Sequence, residues 1–376
     1  MPDSSPVAAD HNPSADLAPQ FDIVAVALEL RELHRLAALA LSEAKPDPNW
    51  PTQIGKLADR LGALYSQAPD ALLYLLFFGA ARTSDRYSSH HALVCAVAAQ
   101  ACAVQLQSSA ADMHSLARAA LTMNISITAL QDELVHRERT PTLEQRQAID
   151  NHAQASVQML RERGVDDELW LNVVSQHHEE LAAPAEGTSA TTEQRLATVL
   201  QRIDRCAARM SPRRSRKGMP AMLAIRDAYL GNKGRSDAVG IAVTQALGIY
   251  PPGSAVRLSI GETAVVLRRG ERASQPLVAS LSGADRRPLT PPVLRDMAQG
   301  DIRIKQALRV DQLRLTPDHG RLWALLAAGG PAIEATRAEA AVGIAEIAEI
   351  ADAAEVAAAQ GETAQPQQEA RAQDAA

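Results

Sequence analysis

Aromatic side chains are scarce, at 3% of 376 residues, while Ala and Leu abound. That balance leans towards helix, because Ala and Leu sit at the top of the helix-propensity scale. Cysteine is nearly missing too. Cys95, Cys102 and Cys206 form no CxxC pair, which argues against a disulfide framework and a thiolate zinc site and fits a reduced cytoplasm. Positive charge is not in excess: the net charge of −6 gives no global pull towards DNA or an anionic membrane. Long apolar runs are lacking as well. The strongest, ALLYLLFFGAA (Ala71 to Ala81), falls short of the roughly 20 residues that span a bilayer and reads as a buried helix. The first residues, MPDSSPVAADHNPSADLAPQ, show no basic segment leading into an apolar core, so no secretory leader is expected. The expectation is a soluble, cytoplasmic protein. With 46% hydrophobic residues, the chain can bury a core and more than one subdomain.

Composition divides the chain. Residues 1–20 are polar and rich in Pro, Ser and Asp, and read as a disordered tail. Residues 21–86 read as an N-terminal helical region, and 87–250 as a helical core. After Tyr250 the pattern alternates: Val256, Leu258 and Ile260 are followed by Gly261-Glu262 and then Ala264 to Leu267. Glycine first in a two-residue loop predicts a type II′ hairpin. The run PLVASLS (Pro276 to Ser282) predicts a third strand within a small β-extension over 251–310. A helical end is expected over 311–330, then an Ala- and Glu-rich flexible tail over 331–376. The fold class expected is an all-α core with a small antiparallel β C-terminal appendage.

The chemistry, if present, lies with histidine and one aspartate. In VVSQHHEEL, His177 follows the apolar stripe of Trp170, Val173 and Val174, with His178 next to it. Thr142 and Gln145 form a capping box for a preceding helix, and Gly164 marks its end. That helix has an inner stripe of Ile149, Ala153, Ser156 and Leu160, with His152 beside it. A third helix places His91, Cys95, Ala98 and Cys102 inward, with His90 adjacent. Asp204 lies beside the stripe of Leu196, Val199, Ile203 and Ala207. Imidazole and carboxylate suit first-row transition metals, and separate helices can supply them without a tight motif. A buried Asp also needs a partner. The alternative is that each histidine is a hydrogen-bonded core residue.

Just beyond Asp204, ARMSPRRSRKGM concentrates Arg209, Arg213, Arg214, Arg216 and Lys217. Such a cluster can hold phosphate through bidentate arginine contacts, or can be a solvated basic loop. Nucleic-acid binding ranks lower, because no aromatic residues interleave the charges.

Several stretches, in this order, resemble the HD-GYP branch of the HD phosphohydrolase superfamily. They are YSSHHALVCAV (Tyr87 to Val97), NHAQASVQMLRERG (Asn151 to Gly164), VVSQHHEE (Val173 to Glu180), RIDRCAARMSPRR (Arg202 to Arg214) and LGIYPPGSAVRLSIGETAVVLRRG (Leu247 to Gly270). The last is the most specific, and the resemblance covers roughly residues 55 to 310. It implies a helical HD core and hydrolysis of cyclic di-GMP at a site of two or three iron or manganese ions. It makes His91, His152, His177, His178 and Asp204 metal-ligand candidates. Arg213 falls where the family has an arginine near the substrate phosphates, and Arg214, Arg216 and Lys217 extend that basic loop.

The departures from the family pattern matter more. Met123 and Asn124 stand where the family has its His-Asp pair, and that Asp bridges two metals. Methionine is a soft, weak ligand, and a neutral amide is a poor bridge for two hard dications. Ile127 replaces the lysine that follows the pair. LAAPAEGTSATT (Leu181 to Thr192) stands where the Gly-Tyr-Pro loop belongs, and Cys206 and Ala207 replace a tyrosine and an aspartate after the late ligand. The expectation is a degenerate, non-catalytic binding or scaffold protein in cyclic di-GMP signalling. A relic site could hold a single Fe, Mn or other divalent ion or be metal-free. Candidate partners are a cyclic dinucleotide, a signalling protein and a second copy of the chain. The competing expectation is a residual metal-dependent phosphodiesterase.

Overall fold

A computed structural model describes residues 21–42, 47–80, 86–179, 190–231, 234–313 and 319–327. The expected disordered N-terminal tail, the Ala- and Glu-rich tail and most of the loop after the paired histidines lie outside the described residues. The chain is mostly helical, with one five-stranded antiparallel sheet on its C-terminal side. Three helices come first: α1 (Ile23–Ser42), α2 (Trp50–Gln67) and α3 (Pro69–Ala80). The apolar run from Ala71 lies in α3, as a core helix. Then follow α4 (Tyr87–Gln105), α5 (Ala110–Thr122), a 3-10 turn at Ile125–Ile127 and α6 (Thr128–Val135). Next are α7 (Leu143–Glu162), α8 (Glu168–Gln176), α9 (Thr192–Met210), α10 (Ala221–Leu230) and α11 (Ala238–Leu247). The strands are β1 (Ala255–Leu258), β2 (Thr263–Arg268), β3 (Leu277–Ser282), β4 (Pro288–Asp296) and β5 (Ile304–Leu308), and α12 (His319–Ala327) closes the described chain.

Helix α4 is the axis of the helical body. Its sequence YSSHHALVCAVAAQACAVQ carries small side chains on every face, so α1, α3, α5, α9 and α11 can all approach it, and nearly its whole length is buried. Two tryptophans tie the surrounding helices. Trp50 and Trp170 stack at 6.4 Å. Each indole N–H finds an acceptor: Trp50 donates to the Ala40 carbonyl (3.0 Å) and Trp170 to the Thr122 hydroxyl (2.8 Å).

The sheet has order β4-β3-β2-β1-β5 and is covered on both faces. Alternate residues of β2 diverge: Val265 and Leu267 pack with Tyr74 and Phe78 of α3 and Leu322 and Leu326 of α12, while Ala264 and Val266 face Met222 and Tyr229 of α10. The connection between β1 and β2 differs from the expected two-residue II′ turn. The Gly261 N–H bonds to the Leu258 carbonyl, the Leu258 N–H bonds to the Glu262 carbonyl, and Gly261 has φ +85°. This is a three-residue loop whose glycine comes last, in the left-handed bulge position, because Ser259 and Ile260 take the turn. The third strand forms as expected. Strands β4 and β5 had no counterpart in the sequence reading. β4 carries three prolines, which an edge strand tolerates because one side of it needs no ladder donors.

Candidate metal centre

Four elements bring the candidate ligands together. α7 starts at a capping box in which Thr142 and Gln145 satisfy each other's backbone N–H groups, and Gly164 follows its end at φ +81°. It buries His152, Ala153, Ser156 and Leu160, whereas Ile149, expected on this stripe, is only half-buried. α8 is capped by Asp167, whose carboxylate also accepts from the Ser115 hydroxyl (2.7 Å). α8 ends at Gln176, so His177 and His178 lie just past the helix rather than within it. This turn lets two consecutive side chains face one site, which a regular helix would splay by about 100°. His177 is fully buried and His178 is exposed at its outer edge. The Gln201 amide of α9 holds the turn by donating to the Glu179 carbonyl (2.8 Å).

The three rings form a tight group. His177 and His178 centroids are 4.1 Å apart, His152 and His178 4.8 Å, and His152 and His177 5.1 Å. His152 Nδ1 is 2.5 Å from the Ile149 carbonyl and His177 Nδ1 is 2.6 Å from the Val174 carbonyl. A carbonyl only accepts, so both Nδ1 atoms carry hydrogen, and in the neutral rings both Nε2 lone pairs are bare. Those Nε2 atoms face each other at 3.2 Å. A proton between them is disfavoured at neutral pH: burial, reinforced by His178, pushes His177 down to about 3. His178 is lowered as well, by burial, with Asp204 opposing the shift.

Asp204 of α9 closes the group. Its Oδ1 accepts from His91 Nε2 at 2.8 Å, and its Oδ2 lies 4.0 Å from His178 Nε2. Burial alone would raise this carboxyl. The hydrogen bond from His91, with the three neighbouring imidazoles, outweighs it and holds Asp204 below the usual carboxylate range. His91 is the inward residue of its pair, since His90 turns its Nε2 to the Leu76 carbonyl (3.0 Å) beside His34. His91 stacks on Tyr87 one turn earlier (5.5 Å) and has Cys95 one turn later (Sγ to Nε2, 3.5 Å). Cys95 was read as an inner position of α4 but not as a neighbour of the site. Its i, i+4 spacing from His91 is the signal that places it there. Burial raises its thiol well above the ordinary value, so it remains a neutral thiol.

The basic loop contributes unequally. Arg213 lies with its guanidinium 5.8 Å from the Tyr87 ring and so extends the line Asp204, His91, Tyr87. Arg214 pairs with Glu138 (3.0 Å), and Arg216 donates to the Ala208 carbonyl (2.8 Å). Lys217 is exposed. Met123 caps α5 and is buried in the apolar core, and Asn124 is half-buried beside it. The following Ser126 ties this segment to α7, its hydroxyl meeting the His152 carbonyl (3.0 Å) and the Ser156 hydroxyl (2.9 Å). The sequence reading passed over Ser126, which carries no ligand chemistry and emerges only from packing.

The donor set suits one divalent transition ion. Two nitrogens bound to one ion at about 2.1 Å each, at tetrahedral or octahedral angles, stand roughly 3.0–3.4 Å apart, and the facing Nε2 atoms are at 3.2 Å. Both imidazoles also donate their other nitrogen to a backbone carbonyl, the usual support of a ligating histidine. His178 supplies a third imidazole, and Asp204, which groups with His91 and Cys95, brings a carboxylate oxygen to 4.0 Å from His178.

A curated protein of Pseudomonas aeruginosa is 29% identical over 221 residues, spanning 57% of this chain and 52% of the relative. That relative is named a cyclic di-GMP phosphodiesterase. The chain thus spans about half the length of the relative it matches. No family model matches, and no solved structure matches. Among the described residues no helix is long and apolar enough to cross a membrane.

Proposed function

We propose that this chain is a catalytically degenerate HD-GYP-like protein, a binding or scaffold module in cyclic di-GMP-related signalling that holds one metal ion and does not hydrolyse the dinucleotide. The observation that carries this reading is the pairing of two bare Nε2 atoms, with Asp204 beside them, next to a segment that offers Met123 and Asn124 in place of a His-Asp pair. His152, His177, His178 and Asp204 would hold the ion, and His91 orients Asp204 through its Nε2–H. A bound divalent ion in such a site supplies Lewis acidity and acidifies a coordinated water. A two-metal hydrolase further needs a shared anionic ligand to set the spacing of its ions, and a neutral Asn124 amide does not provide one. The missing Gly-Tyr-Pro segment removes the family's substrate loop as well. The likeness to a named phosphodiesterase supports the signalling context.

The test is cyclic di-GMP turnover by protein purified anaerobically and supplied with iron or manganese. The expected result is no turnover. Turnover that disappears in the His177→Ala, His178→Ala double variant would establish the competing reading, a residual phosphodiesterase.

A further inference from the structure

Large apolar side chains left open to water are unevenly spread. Among the described residues, three of the six stand on α1, while Val104, Leu143 and Ile260 are isolated on separate elements, an ordinary occurrence. Val24, Leu28 and Leu39 are 52%, 54% and 51% exposed, and they fall within about 60° of one another around the helix. The opposite face of α1, with Val26, Leu33, Ala37 and Leu41, is buried in the helical body. α1 therefore carries a second apolar stripe that faces solvent. The stripe borders a groove of about 230 Å³ between α1 and α2, lined by Leu36, Leu39, Leu57, Lys56 and Arg60 among others. Arg60 ties the two helices by donating twice to the Glu29 carboxylate of α1 (2.8 and 2.9 Å). None of the candidate metal ligands lies on α1 or α2.

The order of residues along this stripe is self-complementary. When two copies of α1 are laid antiparallel about a point between Arg31 and Glu32, Val24 of each meets Leu39 of the other. Leu28 then lies against the aliphatic stem of Arg35, and Arg31 meets Glu32. Glu32 already accepts from its own Arg35 (2.8 Å), and the exposed Arg31 of the second copy would share that carboxylate. A parallel pairing would instead set Arg31 on Arg31 and Arg35 on Arg35, like charge on like. The antiparallel register also places residues 36–40, at the groove, opposite residues 23–27 of the second copy, so Val24 closes the groove mouth.

We propose that this face is the contact of a two-fold homodimer, in which the α1 helices of two copies pack antiparallel with Val24, Leu28 and Leu39 at the centre and Arg31–Glu32 pairs across the axis. Such a contact is isologous, the form a closed dimer requires. A 20-residue helix is about 30 Å long, so the contact lies at the small end of specific interfaces and calls for an affinity in the micromolar range. The inference does not rest on the function proposed for the histidine site.

Sedimentation equilibrium of the full chain from about 1 to 200 µM tests this. The expected mass rises from 40.1 kDa to twice that value. The Leu28→Glu, Leu39→Glu variant should dimerise at least about 100-fold more weakly, with the melting temperature of the monomer unchanged because both side chains are already half exposed. Arg31→Glu and Glu32→Arg should each weaken the dimer about 5–10-fold, and both changes in one chain should restore most of it by rebuilding the pair across the axis. Under mild oxidation, a mixture of Val24→Cys chains with Leu39→Cys chains should give a disulfide-linked heterodimer. Neither chain alone should link to itself, because like positions stand about 22 Å apart in this register. A chain that stays monomeric at about 200 µM overturns the proposal, and slow amide exchange along α1 in that monomer would assign the face to another segment of the same chain. A dimer that survives Leu28→Glu, Leu39→Glu overturns it too, as does self-linking of the Val24→Cys chain, which would mean a parallel pairing.

Discussion

The two sides of the candidate centre differ in what they bury. On one side, the ligand atoms of His152, His177 and His178 converge, with the Nδ1 atoms of the first two supported by backbone carbonyls, and Asp204, bonded to His91, stands 4.0 Å from His178. On the other side, Met123 is part of the apolar core and Asn124 carries no charge. The converging side is costly to keep without a purpose, since it buries bare imidazole nitrogens against one another and a carboxylate among them. The Met123 side is the inexpensive solution for a buried helix end. A costly polar half beside an apolar half is the arrangement expected under the proposal of a site for one ion rather than two.

That contrast can be broken first at the missing half. Restoring the pair with Met123→His and Asn124→Asp should raise bound iron or manganese from one to two per chain, read by metal analysis after anaerobic loading. An unchanged stoichiometry would mean that the Met123 side has moved too far to be rebuilt by two side chains. The next largest effect is expected at the retained half. Asp204→Ala leaves the His91 Nε2–H without its acceptor and should cost about 1–3 kcal/mol of folding stability by denaturant titration, the usual penalty for a buried donor left unmatched. No measurable loss would show that Asp204 is not buried against His91 in solution.

Proton linkage gives a smaller, graded effect. His177 titrates near 3 when folded and near its ordinary value of 6.5 when unfolded, so between these values the unfolded chain binds the extra proton. Its contribution is therefore present above pH 6.5 and is lost as pH falls towards 3. Asp204, lowered by its imidazole neighbours, adds a loss in the same direction below its ordinary 3.8. The metal-free protein should lose stability by about 1.4 kcal/mol per pH unit between pH 6 and 4 from His177 alone. The slope should flatten in His177→Gln, and an identical slope in that variant would remove His177 as its source. The smallest change is at the start of α7. Thr142→Ala removes one half of the capping box and should cost about 1 kcal/mol, with little effect on metal content because His152 lies more than two turns away.

The sequence carried the residue types of the site well and its three-dimensional roles unevenly. Capping residues and the 3.6-residue stripe placed His91, His152 and Asp204 on inner faces, since these follow from local periodicity. The position of the paired histidines was less legible. Helix α8 stops one residue before His177, and that boundary is set by packing against α9 through Gln201 rather than by a Gly or Pro that a reader could see. Ser126 reached the site's surroundings by tertiary contact alone, whereas Cys95 follows His91 by four residues on the same helix, a spacing visible in the sequence. In the β-region the alternation of β1 and β2 was plain, but the glycine of their loop fits two turn geometries, and only register chose between them. β4 was hidden by its prolines, which local rules count against a strand and an edge position permits.

The central claim is that the converging imidazoles and Asp204 hold one divalent ion and that the lost bridge prevents a second. The most direct measurement is anaerobic titration of the metal-free chain with manganese or iron, followed by desalting and metal analysis beside the His152→Ala, His177→Ala variant. One tightly held ion per chain, with affinity reduced at least about 100-fold in the variant, is the result this account predicts. Two ions per chain, or one retained equally well by the variant, would contradict it.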